Sequence, residues 1–165
     1  MKNPSRLICL TLALSFFGLA SSAQAADCRA TVSVVNSAAS VQANTTALGH
    51  VALHVTGNPT EAGKSRFTSA ANFTSAFTAW KNGGTTPSPK VCGGSNSTVM
   101  DCVTASRVGI TTANVCDTVD AQGNCTAQRT ITPVKVAFRY AKSQPGSGGV
   151  WILNTAYPSA NDNCS

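Results

Sequence analysis

Apolar positions change their spacing several times along the chain, and each change marks an element. Residues 7–20 are apolar almost without interruption, behind the cations Lys2 and Arg6, and small residues follow over 21–26. The run is shorter than the roughly 20 residues that cross a bilayer. Further on, Leu48, Val51, Ala52 and Val55 recur at steps of three and one, which predicts a short helix. Asn44 and Thr45 can cap it, and Gly57-Asn58-Pro59 ends it. His50 and His54 then share one face, a turn apart. Ala70, Phe73, Ala76, Phe77 and Trp80 mark the buried stripe of a second helix over residues 69–80, closed by Gly83-Gly84.

Elsewhere the period shortens to two. Residues 28–35 alternate loosely and are β-branched, and residues 131–140 and 150–157 alternate more clearly. The last two flank Ser143-Gln144-Pro145-Gly146-Ser147-Gly148-Gly149 and read as a β-hairpin. Residues 85–130 are rich in Gly, Ser, Thr, Asn and Cys with little periodicity, and read as loops and short strands held by disulfides. Helices first and strands later predict an α+β domain, with Phe73, Phe77, Trp80 and Trp151 in its core. No internal repeat is present.

The apolar run takes its meaning from its flanks. Ala23-Gln24-Ala25 offers the short side chains that signal peptidase accepts, so residues 1–25 read as a signal peptide and residues 26–165 as one exported domain, secreted or periplasmic. No other segment is long and apolar enough to span a membrane, and a soluble monomer is expected. The whole chain carries a net charge of +6, of which Lys2 and Arg6 leave with the leader. The remaining excess permits a polyanionic partner without requiring one. Cys28, Cys92, Cys102, Cys116, Cys125 and Cys164 stay behind. An even number in an exported domain reads as up to three disulfides, with the four cysteines from Cys92 to Cys125 pairing locally and Cys28 and Cys164 tying the ends together. Wide spacing and the lack of a C-x-x-C knuckle argue against zinc.

Proton transfer near neutral pH falls to the only two histidines, His50 and His54. A zinc hydrolase of the H-E-x-x-H kind lacks its glutamate, because Val51 stands there. No metal and no cofactor is expected.

Four blocks then stand in order: Gly49-His50-Val51-Ala52-Leu53-His54-Val55; Arg66; Phe73-Thr74-Ser75-Ala76-Phe77-Thr78-Ala79-Trp80; and Asn154-Thr155-Ala156-Tyr157-Pro158. Together they resemble the bacterial ribonuclease A-like toxin domain, the C-terminal toxin of some contact-dependent growth inhibition proteins. The resemblance implies a ribonuclease A-like fold with N-terminal helices packed on an antiparallel sheet that ends in the hairpin. It also implies metal-independent cleavage of RNA, including tRNA, by attack of the 2′-hydroxyl, and a cognate inhibitor (immunity) protein.

The family's essential histidine falls on His54, its arginine on Arg66, its late threonine and tyrosine on Thr155 and Tyr157, and an accessory histidine on His50. The types suit the reaction, which needs a base, an acid and donors to the extra phosphate charge. His54 and either Tyr157 or His50 would move protons, while Arg66 and Thr155 would hold the phosphate. The competing class is a non-catalytic, disulfide-stabilised binding module whose loops contact a partner.

Overall fold

The computed structural model describes residues 29, 32, 51–83, 98–142 and 151–164. In chain order these form a 3-10 turn η1 (Val51–His54), strand β1 (Ser65–Arg66), helix α1 (Ala70–Lys81) and strand β2 (Thr98–Thr104). A second 3-10 turn, η2 (Ala105–Val108), precedes strands β3 (Ala113–Val119), β4 (Cys125–Ile131), β5 (Lys135–Lys142) and β6 (Trp151–Ser159). The architecture is α+β, with one α-helix and two antiparallel three-stranded sheets, ordered β1-β3-β4 and β2-β5-β6.

The second helix of the sequence reading is α1. Ser69 caps it by accepting a hydrogen bond from the Asn72 amide at 3.0 Å. Phe73, Ala76, Phe77 and Trp80 are its buried positions, as the spacing predicts. They pack on the face of the second sheet that carries Val136, Phe138 and Tyr140. Trp80 stacks on Phe138 with centroids 4.7 Å apart, and its indole N–H donates to the buried Asp101 carboxylate at 2.9 Å. Trp151 also belongs to this core.

The predicted hairpin appears as the antiparallel pair β5 and β6, and one irregularity in it shapes the site. Arg139 pairs with Thr155 while Tyr140 pairs with Leu153, so Asn154 is an extra residue, a β-bulge. Before the bulge, Trp151 and Leu153 face the core; after it, Ala156 does. The shift by one residue turns Thr155 and Tyr157 together to the opposite face of the sheet.

Three expectations need correction. The first predicted helix is shorter among the described residues, a single 3-10 turn at Val51–His54, because Thr56-Gly57 turns the chain at once with Gly57 at φ 96°. His50 lies outside the described residues, as do residues 1–25, expected to be a signal peptide, most of residues 28–35 and the expected hairpin turn. Within residues 85–130, the part from 98 onward is mostly strand, seven residues each in β2, β3 and β4. Finally, Cys164 pairs with Cys102 rather than with Cys28, while Cys116 and Cys125 do pair locally. Such bonds persist in oxidising compartments. Among the described residues no helix is long and apolar enough to cross a membrane.

Candidate active site

The two sheets meet where η1 and β1 lie against β6. Val55 bridges to Phe67 in parallel, and the Phe67 amide donates to the His54 carbonyl at 2.8 Å, so η1 is stitched to the chain just after β1. A cavity of about 520 Å³ opens at this junction. Its wall includes His54 from η1, Lys64 and Ser65 at β1, Val115 of β3, and Thr155 and Tyr157 of β6.

His54 is only 8% exposed and its orientation is fixed. Its Nδ1 lies 2.7 Å from the Ser65 carbonyl. A carbonyl oxygen only accepts, so Nδ1 carries a proton, and in the neutral ring the lone pair is on Nε2. That tautomer is the one a general base requires. The ring sits 5.1 Å from the Tyr157 ring, centroid to centroid. Tyr157 in turn donates its hydroxyl hydrogen to the Cys164 carbonyl at 2.6 Å. The disulfide to Cys102 anchors that carbonyl, and the Asn161 amide donates to Ser159 Oγ at 3.0 Å, closing the turn after β6.

Thr155 stands apart from these satisfied groups. Its hydroxyl is buried and has no hydrogen-bond partner among the described residues, although it lines the cavity. A buried hydroxyl without a partner costs on the order of 1–3 kcal/mol, a cost that a bound acceptor would remove.

Arg66 does not join the group. Successive side chains of a strand point to opposite faces, and it is Ser65 that borders the cavity while Arg66 lines a separate polar pocket with Thr56, Gly57, Asn58 and Asn124. There it is 2% exposed and donates through Nη2 to the carbonyls of Val55 at 2.9 Å and Asn58 at 2.7 Å. Burial lowers its pKa. The cation that the sequence reading did not single out is Lys64, which borders the cavity and pairs with Glu61 at 3.4 Å. Its signal was its place beside Ser65, legible only once the strand was known.

The structure thus brings together His54, Thr155 and Tyr157 of the residues singled out from sequence, leaves Arg66 elsewhere, and does not describe His50. Among the described residues no cluster of His, Cys, Asp and Glu could hold a metal. No protein-family model, no curated protein and no solved structure matches the chain.

Proposed function

We propose that the chain is an exported, metal-independent endoribonuclease of ribonuclease A-like kind, acting as a toxin or effector on RNA, with a cognate inhibitor protein as the producer's protection. The observation that carries this reading is the meeting of His54, Thr155 and Tyr157, about a hundred residues apart in sequence, around one cavity with the buried, unsatisfied hydroxyl of Thr155 in its wall.

The reaction fits those groups. His54 Nε2 takes the proton of a ribose 2′-hydroxyl, and the oxygen attacks the neighbouring phosphorus. As the P–O2′ bond forms, Thr155 donates a hydrogen bond to a nonbridging oxygen and Lys64 balances its charge. The P–O5′ bond then breaks, and Tyr157 gives its proton to the leaving oxygen in place of the Cys164 carbonyl. The products are a 2′,3′-cyclic phosphate and a 5′-hydroxyl, and the imidazolium proton returns to the phenolate. A requirement for the 2′-hydroxyl confines the reaction to RNA.

Incubating the protein with total RNA in EDTA tests the proposal. Fragments ending in cyclic phosphate, lost with His54→Ala, are expected. Intact RNA would leave the cavity as the binding site of a non-catalytic module.

A further inference from the structure

The face of the second sheet that bears Thr155 and Tyr157 continues across β5 and β2. Thr155 pairs with Arg139, and Arg139 pairs with Met100, so these three form one row across three strands. Directly opposed residues in antiparallel strands lie on the same face with Cβ atoms about 5 Å apart. The row next to it, Tyr157, Ala137 and Cys102, is crossed by the chain that returns to the Cys102–Cys164 disulfide. The Thr155 row is open at its far end. Arg139 is exposed, and among the described residues its side chain has no hydrogen-bond or ion-pair partner and Met100, 47% exposed, is one of two large exposed apolar side chains.

An unpaired guanidinium beside an exposed thioether, in line with the buried, unsatisfied Thr155 hydroxyl in the cavity wall, matches in order what one strand of RNA offers: a phosphate, then a base face. We propose that Arg139 and Met100 form a subsite for the nucleotide next to the cleaved bond, Arg139 taking the flanking phosphate and Met100 packing under the adjoining base. The subsite rests on the ribonuclease reading for its purpose, but it binds RNA whether or not RNA is cut. Guanidinium matches phosphate by paired hydrogen bonds, and the flexible, polarizable side chain of methionine adapts to a flat apolar partner.

Binding of a 2′-O-methyl RNA of about 12 nucleotides, which lacks the attacking hydroxyl, separates the two claims. Affinity is measured from low to moderate salt for the wild type, Arg139→Ala, Met100→Ala and, as a charge control at an exposed arginine paired with Asp117, Arg129→Ala. Arg139→Ala is expected to weaken binding about tenfold at low salt and to reduce the dependence on log salt by about one phosphate contact. Met100→Ala is expected to weaken it less and to leave the salt slope unchanged. Wild-type affinity and slope in Arg139→Ala, or an equal loss in Arg129→Ala, would overturn the subsite. Tight binding through Arg139 by a protein that leaves ordinary RNA intact would uphold the subsite and remove the enzyme reading. Cleavage with binding indifferent to Arg139 would do the reverse.

Discussion

Thr155 offers the sharpest contrast between stability and activity, because its buried hydroxyl has nothing to lose in the resting protein. Thr155→Val keeps the shape and removes the donor, so thermal unfolding is expected to stay level or rise slightly while RNA cleavage falls about a hundredfold. A matching loss of both would show that the hydroxyl is structural. Arg66 predicts the opposite pattern. Its guanidinium holds the carbonyls of Val55 and Asn58, so Arg66→Ala is expected to cost roughly 2–3 kcal/mol in denaturant unfolding, with the folded fraction keeping its turnover. Residue type singled out His54 only together with His50, and Tyr157 entered through the resemblance to the toxin domain; the structure places both His54 and Tyr157 at the cavity. The place of Arg66 was not legible, because its identity as a cation says nothing about which face of a two-residue strand it takes.

At the scale of elements, legibility followed burial. The stripe of α1 and the alternation of β5 were visible since each presents one face to the same core, whereas β4 is exposed along most of its length and leaves no periodic trace. The bulge at Asn154 left no signal either, and the register after it sets Thr155 and Tyr157 on the cavity side. Deleting Asn154 removes only the extra residue and leaves Leu153 opposite Tyr140 and Thr155 opposite Arg139, so the protein is expected to fold with Thr155 and Tyr157 still on the cavity side and to keep its cleavage in a turnover assay. The disulfides also act at this scale. Replacing Cys102 and Cys164 by alanine lengthens the free chain by a 62-residue loop and is expected to cost about 4 kcal/mol. The same change for Cys116 and Cys125, nine residues apart, is expected to cost about 2.5 kcal/mol. Only the first pair should also shift the Tyr157 resonance in a tyrosine-labelled NMR spectrum, since only it anchors the carbonyl that receives the phenol hydrogen.

For the whole molecule, the junction of two small sheets places the imidazole of η1 beside the hydroxyls of β6, and the net positive charge that remains without Lys2 and Arg6 would favour the approach of a polyanion. Cleavage at low substrate is therefore expected to slow as salt rises, while the turnover of bound RNA changes less. The most direct measurement is cleavage of total RNA by the disulfide-bonded protein in EDTA, wild type against His54→Ala, with the new ends identified. The account predicts 2′,3′-cyclic phosphate ends from the wild type and at least a hundredfold slower cleavage from the variant, on the order of what one proton-transferring group supplies. RNA left whole by the wild type, or cut equally by both, would contradict it.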